Sequence, residues 1–140
     1  MKKTVLFLLI AVLLISCGKK EVKQTSQESM TSVEAFGLVQ TLKNAFIARD
    51  LAALQKNSTE DGYKDITANR KPFDSVELNF TPRWVEIEGI KTTLNVSWKS
   101  KWTASGKSAE DRGMAVFVLE GRPLKLAKIM MANPFVFREQ

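Results

Sequence analysis

The chain has 140 residues, with 21 Lys+Arg against 15 Asp+Glu, no histidine and one cysteine. That length holds one domain at most, and 44% apolar with 26% charged residues is the composition of a globular protein rather than a disordered one. Without histidine and with a single cysteine, Ser-His-Asp and Cys-His triads, imidazole acid-base chemistry and the common zinc and haem sites are excluded.

Lys2 and Lys3 precede an unbroken apolar run over residues 5–15. The run is shorter than the roughly 20 residues that span a bilayer and suits the h-region of an export signal. It ends at Leu14-Ile15-Ser16-Cys17, which resembles the lipobox of bacterial lipoproteins. The resemblance implies cleavage after residue 16, acylation of Cys17 and anchorage to the membrane by several acyl chains, which hold far more firmly than one. Gly18 stands where an aspartate would resemble the inner-membrane retention signal of enteric bacteria. The expected location is therefore the bacterial cell envelope, at the periplasmic face of the outer membrane. Residues 17–31 are polar and without apolar periodicity, the composition of a flexible tether. Lys19, Lys20 and Lys23 can touch anionic headgroups or simply keep the tether solvated. The sequence thus divides into a signal (1–16), a tether from lipidated Cys17 (17–31) and a folded domain (32–140).

Thr31-Ser32-Val33-Glu34 has the pattern of a capping box and opens an apolar stripe at Ala35, Leu38, Val39, Leu42, Ala45 and Phe46. A helix is predicted over residues 32–48. Arg49-Asp50 forms a corner, with Asp50 capping a short second helix that carries Leu51 and Leu54. Ser58, followed by Glu60 and Asp61, suggests a third short helix with Tyr63 and Ile66 on one side. After Pro72 the apolar period becomes two. Val76, Leu78 and Phe80 alternate with polar residues, and beyond Pro82 the parity moves to Val85 and Ile87, as a bulge at Thr81-Pro82 requires. Gly89 turns the chain into a long strand whose Ile90, Thr92, Leu94, Val96, Trp98 and Trp102 share one face. Residues 103–111 read as a hairpin connection with Gly106 at its tip, and residues 114–120 and 124–131 as the last strands. Met114, Val116 and Val118 are apolar on one side of that strand and Ala115, Phe117 and Leu119 on the other. Something must cover the second face: the chain's own helices and tail, with Phe135 and Phe137, or a second copy as a homodimer through the sheet.

The segment Leu38-Val39-Gln40-Thr41-Leu42-Lys43-Asn44-Ala45-Phe46-Ile47-Ala48-Arg49-Asp50-Leu51 and the terminal Leu124-Lys125-Leu126-Ala127-Lys128-Ile129 strand, with Asn133-Pro134-Phe135 behind it, carry a resemblance to a known family. In this order of elements the region 32–137 resembles the nuclear transport factor 2-like proteins, which include SnoaL and ketosteroid isomerase. The resemblance implies an α+β fold in which N-terminal helices pack on a curved antiparallel sheet, cone-shaped, with an apolar pocket at the wide end. Many members pair through the sheet. Function does not carry over with it. The tyrosine that isomerase-like members present from the first helix falls at Leu42, and the family's pocket aspartate falls close to Asp65 or Ile66, in a stretch that aligns poorly. Fold alone assigns no activity.

Asp65 and Tyr63 are the one acid and phenol close together outside the strands, and a carboxylate in an apolar pocket can abstract a proton. At i, i+2 on a helix they diverge by about 200°, so a single pocket does not receive both. Trp84, Trp98, Trp102 and Tyr63 are candidate ligand contacts, either as an aromatic wall or as ordinary core. Lys91, Lys99, Lys101 and Lys107 lie opposite the aromatics of their strand, which argues against a nucleic-acid groove and for a solvated edge. Gly106-Lys107-Ser108 lacks the first glycine of a phosphate loop, since position 101 is lysine. No calcium-loop spacing occurs, so no metal and no cofactor is expected. The leading expectation is a membrane-anchored lipoprotein whose domain binds a small apolar ligand or an envelope partner without catalysis. The alternatives are a small-molecule enzyme with Asp65 as base and a dimeric assembly module of the envelope.

Overall fold

The computed structural model describes residues 26–68 and 71–138. The expected signal, Cys17 and most of the expected tether lie outside the described residues.

The first helix, α1 (Gln27–Ala48), starts five residues before the expected residue 32. Its cap is Ser26, whose hydroxyl accepts from the Ser29 amide at 3.1 Å. The Thr31-Glu34 capping box is not used. Thr31 and Ser32 instead donate to the carbonyls of Gln27 and Glu28 one turn back, and the Glu34 carboxylate accepts from the Leu124 amide at 3.5 Å. The last five residues assigned to the tether are therefore helical. Ala35, Val39, Leu42 and Ala45 form the buried stripe. At the far end Arg49 turns the chain in the left-handed region (φ 59°), and Asp50 caps α2 (Leu51–Lys56) by accepting from the Ala53 amide at 3.0 Å.

The third helix, α3 (Glu60–Thr67), is capped by Thr59 rather than by Ser58, which is buried and bridges to Leu126. Gly62 sits where this helix crosses β4, and a side chain there would collide with the Leu126 carbonyl oxygen. The glycine that weakens α3 as an isolated helix is what lets it approach the sheet.

Four antiparallel strands follow in the order β1 (Ser75–Glu88), β2 (Lys91–Ala104), β3 (Lys107–Glu120) and β4 (Lys125–Met131). The expected kink in β1 is present as a register shift between Pro82 and Trp84. The expected loop over residues 103–111 is not. Only Ser105 and Gly106 connect β2 to β3, both at positive φ (51° and 74°), the backbone of a two-residue hairpin turn whose twist matches the strands. The polar residues on either side, from Lys99 to Arg112, are therefore paired strand rather than loop.

The helices lie on the inner face of the sheet, so the fold is α+β with N-terminal helices against a curved antiparallel sheet. Val76, Leu78 and Phe80 of β1, Leu94, Val96, Trp98 and Trp102 of β2, and Ala115, Phe117 and Leu119 of β3 meet the α1 stripe there. The tail contributes too. Phe135 is buried with its ring 4.9 Å from that of Phe46, held by an Asn133 side chain that accepts from the Phe135 amide and donates to the Asp65 carbonyl. Phe135 and Phe137 thus join the inner core and leave the second face of the sheet to other cover.

Candidate functional site

A cavity of about 340 Å³ opens at the end of the domain where α1 stops. Its walls come from the end of α1 (Phe46, Arg49), from α2 (Leu51, Leu54), from α3 (Ile66, Thr67), from the connection to β1 (Lys71, Pro72, Phe73), from β2 (Trp102) and from the tail (Phe135, Phe137). The aromatic rings brace one another. Phe46 stacks on Phe73 at 5.8 Å, and Trp102 meets Phe73 edge-on at 5.0 Å and Phe137 at 5.3 Å. The Trp102 indole N–H donates to Ser100 Oγ, so its polar edge is satisfied within the strand and its faces are left for apolar contact.

Arg49 fixes the rim. Its Nη2 donates to the carbonyls of Phe73 (2.6 Å) and Asp74 (3.1 Å), and its guanidinium lies 4.9 Å from the Phe73 ring centre. This one side chain ties the corner after α1 to the chain entering β1. Among the described residues no carboxylate lines the cavity, and the charged groups that do are Arg49 and Lys71.

Of the residues singled out in the sequence, Trp102 lines the cavity. Trp98 is buried deeper, its indole wedged over Gly113, where a side chain would lie 2.9 Å from the ring, and its N–H donates to the Ala132 carbonyl. Trp84 stands on the other face of the sheet, 49% exposed. The bulge after Pro82 sends it there, so the three tryptophans do not form one wall. Tyr63 is half-buried against the core and outside the cavity lining. Asp65 also lies outside it, and its Oδ2 accepts from the Ile129 amide at 2.8 Å, pinning α3 to β4, while its neighbour Ile66 faces the cavity. Leu42, at the position of the family tyrosine, is fully buried.

Lys99 and Lys101 border a wider hollow of about 610 Å³ on the outer face with Glu77, Asn79, Glu110, Asp111 and Arg112. Lys101 is in register with Glu77 on one side and Glu110 on the other, which makes this a ladder of alternating charge. Among the described residues no group of three or more acidic or cysteine side chains is placed to hold a metal ion.

Phe46, Phe73, Phe135, Phe137 and Arg49 were not singled out as site residues. Their signal in the sequence is weak because they come from separate segments; only the Arg49-Asp50 corner stands out.

No protein-family model matches the sequence, and no curated protein matches it. Among solved structures the chain is similar to a nuclear transport factor 2-like superfamily protein from Salmonella enterica serovar Typhimurium, with a TM-score of 0.62 and 11% identity. The match covers 75% of this chain and 93% of that one. The domain therefore has the nuclear transport factor 2-like fold, and at this identity the likeness speaks for fold alone.

Proposed function

We propose that this protein is an exported lipoprotein, acylated at Cys17, whose domain binds a small apolar ligand in the cavity beside Trp102 and performs no chemistry on it. The observation that carries the reading is the composition of the cavity wall: braced aromatic and aliphatic side chains, a fixed rim and, among the described residues, no carboxylate. A general base must reach the proton it removes, and Asp65, the acid the sequence offers, is bonded to the Ile129 amide outside the cavity. The lipobox supports the anchoring. It also suits the placement of the cavity: the tether joins the N-terminal end of α1, whereas the cavity lies at the C-terminal end, about 33 Å away for a helix of 22 residues.

The test has two parts. The full chain, expressed in a Gram-negative host, incorporates labelled palmitate and partitions with the outer membrane, and Cys17→Ala abolishes both. Native mass spectrometry of the purified mature protein records a small molecule that is lost on denaturation; an empty protein that also takes up no added apolar compound ends the ligand-binding reading.

A second reading rests on one further observation. Across the outer face Trp84, Asn95, Val116 and Met130 lie in register on four successive strands, and Asn95, 6% exposed, has a side-chain oxygen with no hydrogen-bond partner. Trp84 and Met130, 49% and 46% exposed at the two ends of this row, leave water when a second copy packs there, and a charge placed at position 95 between them opposes that packing. Sedimentation equilibrium distinguishes the cases: a dimer that dissociates in Asn95→Asp supports the second copy, and a wild-type monomer at high concentration rejects it.

A further inference from the structure

We propose that the ligand of this cavity is an amphipathic anion, an aryl or short alkyl body with one carboxylate, whose head is held at the rim by Arg49. This rests on the ligand-binding reading and adds the chemical class of the ligand.

The aromatic faces of Phe46, Phe73 and Trp102 would by themselves suit a quaternary ammonium ion as well as an apolar group. The charges at the rim decide between them. Among the described residues the charged side chains that line the cavity, Arg49 and Lys71, are cationic, and Arg49, fixed at the rim, would by itself repel a bound cation and attract an anion. Asp50, next in the chain to Arg49, has its carboxylate on the Ala53 amide as the cap of α2.

The geometry of Arg49 sharpens the assignment. Its backbone is in the left-handed region, at a helix end where glycine or asparagine sits with less strain, yet an arginine stands there. Its guanidinium is held in place by two backbone carbonyls on Nη2 and by the ring of Phe73 beneath it. Nε and Nη1 make no hydrogen bond to a described residue. A guanidinium fork with its orientation already set and its donors open loses little entropy on receiving a planar carboxylate. The cavity, about 340 Å³, lies near the lower end of the range of about 300–1,000 Å³ for small-molecule sites, which limits the body to a bicyclic arene or a short chain.

Three probes of one shape test the charge: 2-naphthoate, 2-naphthamide and (2-naphthyl)methylammonium, measured by equilibrium dialysis against the mature acylated protein in phosphatidylcholine nanodiscs, with empty nanodiscs subtracted. The expected order is naphthoate tighter than naphthamide by about tenfold or more, with the ammonium ion weakest. Raising the salt concentration weakens naphthoate and leaves naphthamide unchanged. Arg49→Gln brings naphthoate to the level of naphthamide, and Arg49→Lys restores part of the difference. Should Arg49→Gln fail to fold for want of its links to Phe73 and Asp74, the probe order and its salt dependence in the unaltered protein carry the decision. Equal binding of naphthoate and naphthamide overturns the anionic assignment and leaves an apolar cavity standing. Binding of none of the three overturns both.

Discussion

On the inner face of β2 every residue from Thr92 to Trp102 that points inward is buried, while Lys99 and Lys101 on the opposite face are exposed and Thr93 and Ser97 half-buried. In β3 both faces are apolar, yet Ala115, Phe117 and Leu119 are buried among helices and tail, whereas on the other side Val118 is buried and Met114 and Val116 are only half-buried. On the strands that flank this outer row, Trp84 and Met130 remain 49% and 46% exposed. Alternation tells which residues share a face and not what lies on it. The inner face has α1, α3 and the tail as cover, and the outer face has only its own neighbours within the described residues.

The hardest blow to this contrast falls on the inner face. Phe117→Ala removes a ring packed 5.9 Å from that of Phe80 and 6.4 Å from that of Phe135, and is expected to lower stability by about 3–5 kcal/mol in urea unfolding. A loss as small as that of an outer-face substitution would mean that the two faces are not energetically distinct.

Next is the pin between α3 and the sheet. Asp65→Ala leaves the Ile129 amide without its acceptor and is expected to cost about 1.5–3 kcal/mol, with faster hydrogen exchange at Ile129. A variant that kept wild-type stability and exchange would return Asp65 to the pool of groups free for chemistry.

On the outer face, Trp84→Ala is expected to lower the stability of the monomer by about 1–2 kcal/mol, less than the inner-face loss, since half of the side chain already meets solvent. Unfolding measured over a range of protein concentrations sharpens this. A penalty that grows with concentration identifies an outer face covered by a second copy.

The smallest effect belongs to the surface pair of Glu60 and Lys64, 2.7 Å apart on α3. The hydrogen bond from Lys64, with its charge, holds the Glu60 carboxyl below its ordinary pKa. A carboxylate with a lowered folded pKa contributes stability above its unfolded pKa, and loses it as pH falls through the folded value. Glu60→Gln should therefore be slightly less stable than wild type near neutrality and equal to it in acid, with salt shrinking the neutral difference. A difference that persists in acid would show that the side chain acts through something other than its charge.

Much of the fold was legible because it is written in local signals. The period-two runs of β1 and β2, the parity change at Pro82 and the Arg49-Asp50 corner each need only a few neighbouring residues to be read. The start of α1 was missed because two caps compete within six residues, and Ser26 wins once Glu34 is drawn to the Leu124 amide, 90 positions away. The β2–β3 hairpin was drawn too short because the outer-face charges near its tip look like loop, whereas Lys101 and Glu110 are paired in register. The cavity was nearly invisible. Trp102 could be named, but Phe46, Arg49, Phe73 and Phe137 meet only after four segments have folded together.

Composition and short-range periodicity carry the α+β class, the apolar face of each strand and the exclusion of histidine chemistry. The tertiary structure alone shows that Asp65 is a pin, and that an arginine whose Nε and Nη1 bond no described residue stands over an aromatic cavity. Those depend on contacts between segments far apart in the chain, where one bulged residue or one distant amide redirects a side chain that local pattern leaves free.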